Sequence, residues 1–119
     1  MAHAFSNTAL MKRYKEYPVF FDGQIDTIFF EDNVCELHLL LKSTHNPRFK
    51  KDTQVVIRCH GVHSFSFSRR HFDTMLIRIH DVDVKRTDEG LHLRIEDREG
   101  MHHYVIFETI EMHEKTGKY

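Results

Sequence analysis

The chain has 119 residues, a length that allows one hydrophobic core but not two independent ones. Its 17 basic and 18 acidic side chains nearly cancel, so overall charge gives no argument for nucleic acid or a membrane as a partner. No apolar run approaches a bilayer-spanning length, and residues 1–17 lack the apolar centre of a signal peptide. We therefore expect a single cytoplasmic domain over residues 1–119.

Residues 1–17 are predicted to form a helical segment. Apolar side chains recur at helical spacing from Ala9 to Tyr14 and Tyr17, Ser6 can cap the first turn, and Pro18 prevents continuation. Residues 18–113 are then predicted to be a β domain, and residues 114–119 a polar, flexible tail.

The first half of the β domain is predicted to contain a hairpin and a long loop. Ile25–Phe30, with Ile25 and Phe29 on one face, is joined by a tight turn to Val34–Lys42. Residues Ser43–Asp52 are polar, and a loop of this length is where binding function tends to lie.

The second half continues the two-residue alternation. Strands are predicted at Val55–His60 and Val62–Ser68, with a kink at Gly61. The strand that begins at Met75 changes parity near His80-Asp81, which one extra residue in a β-bulge explains. After a strand at Leu91–Ile95, the last strand, Met101–Met112, is apolar on both faces and is predicted to be central. About seven strands joined by short turns predict a mainly β fold, an antiparallel meander that forms a curled sheet or a small sandwich.

The two cysteines point to a reducing compartment. Cys35 and Cys59 lie in apolar, strand-like runs far apart in the sequence. This placement is typical of buried free thiols rather than of a secreted disulfide framework.

No catalytic motif is recognisable, so no catalytic residue is predicted and no cofactor is implied. The chain is nevertheless rich in histidine, with 11 in total, and imidazole and carboxylate groups suit a divalent metal where three converge. The candidate metal ligands are His60, His63, His80 and Asp81. The alternative is that they are solvent-exposed strand residues.

The same parity predicts a band of cationic side chains on one outward sheet face. Its members are His38, Arg58, His60, Arg78, His80, His92 and Arg94. Such a band would attract an acidic protein surface or a phosphate backbone. In the alternative it is an ordinary solvated face, on which Glu36, Glu96 and Glu108 pair with the cations across strands.

Two aromatic pairs allow either a contact patch or a place in the core. Phe65 and Phe67 alternate with serines, and Phe20-Phe21 precedes the first strand. Core packing is favoured for both pairs. The alternative for Phe65 and Phe67 is a base-stacking platform, but no RNA-recognition signature flanks them, and the alternative for Phe20-Phe21 is an exposed contact patch.

Three stretches resemble small bacterial all-β proteins, some of which are grouped with the immunity proteins of polymorphic toxin systems. They are Phe21–Ile28, Glu36–Leu41 and Val55–Phe65. The chain keeps Asp22 and Gly61-Val62 of that pattern but has Phe21 where the relatives have histidine, so no role of that histidine carries over. The resemblance implies a binding protein that occludes a partner toxin.

Together these features predict a non-enzymatic protein-interaction module that resembles an immunity protein. The cationic band and the Ser43–Asp52 loop would form its contact surface for a partner protein with an acidic surface. The alternative is a metal-binding protein or metal-dependent hydrolase that uses the clustered His and Asp side chains. Nucleic-acid binding through the same face is a third, less favoured reading, and the two-sided last strand leaves a homodimer open.

Overall fold

The computed structural model describes residues 18–47, 49–67 and 77–115. The predicted helical segment 1–17 and residues 116–119 of the predicted tail lie outside these ranges. Across the described residues the chain forms eight strands and no helix, so none of them belongs to a helix that could cross a membrane. The strands are β1 (Gln24–Glu31), β2 (Val34–Leu41), β3 (Thr53–His60), β4 (Ser64–Ser66), β5 (Ile77–Thr87), β6 (Gly90–Asp97), β7 (His102–Phe107) and β8 (Thr109–Glu114).

All the strands belong to one antiparallel sheet in the order β4-β7-β6-β5-β1-β2-β3-β8. Its two halves meet where β1 pairs with β5, at Gln24 with Arg78 and Ile25 with Ile77. The chain also passes between the halves at a corner, where β3 continues into β4 and β7 continues into β8. Across this corner the amide of Glu108 donates to the carbonyl of His60 at 2.9 Å. The prediction of a mainly β, antiparallel fold is confirmed. The eighth strand arises because Glu108 divides the predicted last strand in two.

The core lies on the inward face of both halves. Leu37 and Ile57 from one half and Leu93 and Phe107 from the other have almost no exposed surface and belong to a single apolar cluster. Burial alternates along these strands as the two-residue period predicts. One cluster shared by both halves holds the sheet together without a disulfide.

Two bulges set which side chains face outward. The pairing of β5 with β6 shifts between Ile79 and Asp81, which confirms the predicted bulge. A second shift, between Ile25 and Thr27 on β1, was not predicted. Because it inserts a residue, it moves Phe29 to the outer face, and the prediction that Ile25 and Phe29 share a face is wrong.

The predicted turns form where the sequence places them. Asp32 and Asn33 both have positive φ, 51° and 62°, as the two central residues of a type I′ hairpin turn require. Gly61 has φ 68° at the predicted kink, and a Cβ there would lie 2.7 Å from Cγ of Glu108. The bend between β3 and β4 therefore needs glycine.

The Ser43–Asp52 loop is anchored in the domain rather than uniformly polar and exposed. Asn46 is 4% exposed and Phe49 is 6% exposed. The Asn46 side chain accepts from the amide of Val19 at 2.7 Å and donates to the carbonyls of Val19 and Lys42 at 2.9 Å each. The loop thus fixes the segment that leads into β1.

Candidate interaction surfaces

The predicted cationic band is divided by the topology. None of its members is buried, so their outward parity is as predicted. Arg78 and His80 lie at the start of β5, beside β1. His92 and Arg94 lie further along, opposite Lys85 and Asp83 of β5. The remaining three, His38, Arg58 and His60, lie on β2 and β3.

On β2, β3 and β8 the cations form a ladder with carboxylates. Arg58 lies in register between Glu36 and Glu111. Its Nε is 2.7 Å from Glu36 Oε2, and its Nη1 is 3.9 Å from Glu111 Oε2. His38 Nε2 lies 2.6 Å from Glu36 Oε1, and His60 Nε2 contacts Glu111 Oε2. This surface is therefore a mixed-charge ladder rather than a field of positive charge.

The ladder holds both carboxylates in their ionised form. The hydrogen bond with His60 lowers the pKa of Glu111, and the positive charge of Arg58 adds to the effect. Partial burial acts to raise the pKa of Glu36, but hydrogen bonds with His38 and Arg58 outweigh it and leave the pKa lowered. The alternative prediction of a solvated face had named Glu36 as a partner of these cations, but nothing in the sequence had pointed to Glu111.

On β5 and β6 a single carboxylate serves two cations. Asp83 Oδ2 lies 3.7 Å from Lys85 Nζ and 3.9 Å from Arg94 Nη2. His92 packs edge-on against the Tyr104 ring, with centroids 5.6 Å apart. Here too a carboxylate offsets part of the predicted positive charge.

The four predicted metal ligands are not brought together. His60 contacts Glu111, His63 contacts Glu108, and His80 packs against an aromatic ring. Asp81 lies in register with another carboxylate, Glu96. Within residues 18–47, 49–67 and 77–115, no three His, Cys, Asp or Glu side chains are placed to hold a metal ion.

A buried His–Asp pair closes the turn between β6 and β7. His103 Nε2 lies 2.9 Å from Asp97 Oδ2, and both side chains are buried. Asp97 Oδ1 also accepts the amides of Glu99 and Met101, at 2.9 and 3.0 Å. Because Phe67 stacks on the His103 ring, the pair lies beneath an aromatic side chain and serves the fold.

A cluster built from separate segments lies beside the start of β1 and is here named the Phe21 cluster (Phe21, His45, His80 and Arg98). Phe21 is 38% exposed. His45 and His80 meet its ring edge-on, with centroids at 5.3 and 5.7 Å, and Arg98 Cζ lies 5.4 Å from its centroid. Arg98 Nη1 also lies 3.0 Å from Asp22 Oδ1. Of this cluster, sequence reasoning had selected His80 and the loop that contains His45, while its preference for core packing of Phe21 is wrong.

Phe29, Phe30 and Phe65 are exposed at the far end of β1, where Phe29 lies on the outer face of the sheet and Phe30 and Phe65, here named the aromatic rim, lie on the inner face. These side chains are 53%, 46% and 48% exposed. Phe30 and Phe65 have centroids 4.6 Å apart, while Phe29 meets the His38 ring at 5.2 Å. The preference for core packing is therefore wrong for Phe65 and right for Phe67, which packs against the core. The reason is that β4 is an edge strand of the sheet and pairs only with β7.

A simple sequence signal could have found part of these surfaces. Phe20-Phe21 and Phe29-Phe30 are adjacent pairs, and adjacent residues of an extended chain point to opposite sides. One member of each pair must then face away from the core. Phe20 is in the core and Phe21 is exposed, as this rule requires.

Comparisons with known proteins give no relative from which a function could be transferred. No protein-family model matches the chain, and no curated protein or solved structure matches it. The argument for function therefore depends on the surfaces themselves.

Proposed function

We propose that this chain is a non-enzymatic, cytoplasmic protein-interaction module that inhibits a partner as immunity proteins do. The observation that carries the proposal is the exposure of four of the eight described phenylalanines: Phe21, Phe29, Phe30 and Phe65. Phe21 precedes β1, Phe30 and Phe65 form the aromatic rim at its far end, and Phe29 lies on the outer face of the same end.

Exposed aromatic side chains of this kind favour a binding role. Burying a phenylalanine side chain contributes roughly 1.5–3 kcal/mol, and the free protein forgoes much of this at four positions. Aromatic residues are enriched in the cores of protein interfaces and among the residues that dominate binding energy. Grouped exposed apolar side chains rimmed by polar residues mark interaction sites.

The predicted cationic residues fit this proposal as a polar border. Phe29 lies in register with Glu36, so the mixed-charge ladder that contains His38, Arg58 and His60 runs from Phe29 across the outer face of the sheet. Arg78 lies beside the other end of β1. Balanced charge pairs at an interface edge set orientation and partner choice more than affinity.

The cytoplasmic part of the proposal is supported by Cys35 and Cys59, which are free and buried. Inhibition of a toxin is supported by the sequence resemblance alone.

Capture on the tagged full-length chain from a lysate of its own cells tests the proposal. We expect one stoichiometric protein partner on the wild type, reduced at least about tenfold by Phe21→Ala or by Phe65→Ala. Lys85→Ala, at an exposed position of β5, is the control and should retain the partner. If no stoichiometric partner is found, or if both phenylalanine variants retain it fully, the proposal is wrong.

A further inference from the structure

We infer that the open edge of β5 pairs with the same edge of a second copy of the chain, so that two sheets join in a symmetric dimer. The open edge is defined here as residues 81–87, the part of β5 that extends past its pairing with β1. A strand edge with unpaired backbone groups is a template for a further strand. The inference goes beyond the proposed function and does not depend on it.

The edge is open because the chain turns before β1 instead of continuing beside β5. The amide of Asp22 donates to the carbonyl of Ile79 at 2.9 Å, which ends the contact between the two segments. Asp22 has a φ of 64°, and the amide of Gly23 donates to the carbonyl of Phe20 at 2.9 Å, which closes the turn. In the part of the chain that the structure describes, no other strand pairs with the open edge.

Alternate residues of β5 direct their backbone groups toward the open edge. The amide of Asp97 donates to the carbonyl of Met101 on the β7 side of β6, and the side to which backbone groups point alternates along a strand. The even-numbered residues of β6 therefore bond to β5, and their partners are odd-numbered residues such as Asp83 and Lys85. The N–H and C=O groups at the open edge are those of Val82, Val84 and Arg86.

Charge favours one register for the pairing of two such edges. In an antiparallel pair centred on Val84, Asp83 of each copy lies opposite Lys85 of the other. Within one chain, Lys85 Nζ lies 3.7 Å from Asp83 Oδ2, and the Lys85 side chain is 68% exposed. An ammonium group has three donors, so Lys85 can bridge the carboxylates of both copies. Charged side chains on an edge usually oppose association, whereas in this register they attract.

The neighbouring registers each contain a like-charge contact. Only a shift by two residues keeps the outward backbone groups of both edges aligned. A shift in one direction sets Lys85 opposite Lys85 of the second copy. A shift in the other brings Asp81 opposite Lys85 but sets Asp83 opposite its own copy. Like charges directly opposite destabilise a strand pair, so the register centred on Val84 is selected.

The inner face of the open edge fits the same contact. Val84 is 5% exposed and belongs to the core cluster, while Val82 is only partly buried and packs against that cluster. In the dimer Arg86 of the second copy lies opposite Val82, and the methylene groups of an arginine cover apolar surface. The contact therefore removes apolar surface from water on one face and pairs opposite charges on the other.

Sedimentation of the full-length chain from micromolar to millimolar concentration tests for the dimer. We expect a reversible monomer–dimer equilibrium. Lys85→Asp should weaken it at least about tenfold, because two symmetric attractions become repulsions. Asp83→Lys/Lys85→Asp should restore association, since opposite charges then face each other again. Lys51→Asp changes the net charge by the same amount at an exposed position outside β5, and it should associate as the wild type does.

Amide hydrogen exchange locates the contact and needs no variant. Higher protein concentration should slow exchange at Val82, Val84 and Arg86, and leave Ile110 and Met112 on the edge strand β8 unchanged. The same spectra report whether each variant is folded.

Four results would overturn the inference. They are a chain that stays monomeric throughout, association that Lys85→Asp does not weaken, a double variant that associates no better than Lys85→Asp, and concentration-dependent protection on β8 instead of β5. None of them bears on the proposed function, which lysate capture tests separately.

Discussion

Arg58 joins β3 to β2 through Glu36, with both Nε and Nη2 of the guanidinium 2.7 Å from Glu36 Oε2. Because Glu111 lies on its other side in β8, Arg58 is flanked by carboxylates along the sheet. The Arg58–Glu36 ion pair thus lies on two of the strands where the predicted cationic band was expected to attract anions.

Reversing the charge at this position should destabilise the fold modestly. Arg58→Glu places three carboxylates in one cross-strand row, and like charges directly opposite on a sheet are unfavourable. We expect a loss of about 1–2 kcal/mol in the free energy of unfolding, against about 0.5–1 kcal/mol for Arg58→Gln, since the pair is partly exposed. Urea denaturation measures both. The double variant Glu36→Lys/Arg58→Glu should recover part of the loss, and no recovery would contradict the pairing.

Stability should fall in acid partly through Glu111. Its pKa is lowered in the folded protein by the hydrogen bond with His60, so the unfolded chain takes up a proton at higher pH than the folded one. The stabilisation is present above the ordinary glutamate pKa of about 4.3 and is lost as pH falls through the lower folded value. The melting temperature should therefore fall less between pH 5 and pH 3 for Glu111→Gln than for the wild type. Glu89→Gln, on the turn between β5 and β6, is the control and should behave as the wild type.

Asn46 should matter more for stability than a loop residue normally does. Asn46→Ala removes three hydrogen bonds to the backbone of Val19 and Lys42 from a buried site, and we expect a loss of about 2–3 kcal/mol. Pro47→Ala, at the exposed next position, should change stability by less than about 1 kcal/mol. If the two variants unfold at the same denaturant concentration, the loop is not anchored as described.

The two thiols should be unreactive in the folded protein. Burial raises the pKa of Cys35 to about 11, and burial together with the neighbouring Cys35 raises that of Cys59 as well. The reactive thiolate is therefore scarce near neutral pH. Ellman's reagent at pH 8 should label neither cysteine quickly in the native chain and both in denaturant. Fast labelling of the native protein would show that the strands open or that the thiols are exposed.

Much of the fold follows from local rules that the sequence displays. The alternation of Cys35, Leu37 and Leu39 with polar residues predicts the inward face, and the parity change near His80 predicts a bulge. The bulge at Asp26 escaped prediction because Ile25–Phe30 is apolar at so many positions that no break in alternation shows. The last strand was read as one because nothing local distinguishes Glu108 as a corner. The corner exists because β3 bends at Gly61 beside it.

The site was harder to predict because it depends on long-range placement. His45, His80 and Arg98 come together around Phe21 only once the strand order is known. Parity identified the outward cations and, in the alternative reading, Glu36 as a partner, but it missed Glu111 and so overestimated the positive charge of this face.

Site-specific photo-crosslinking tests the central claim most directly. The photoreactive amino acid p-benzoylphenylalanine is placed at Phe21, at Phe65 and, as a control, at exposed Arg86 on the far part of β5, and the cells are irradiated. The account predicts one crosslinked partner protein from position 21 or 65, and no protein other than a second copy of the chain from position 86. Absence of a crosslinked partner at both phenylalanine positions, or equal crosslinking of that partner at position 86, would contradict it.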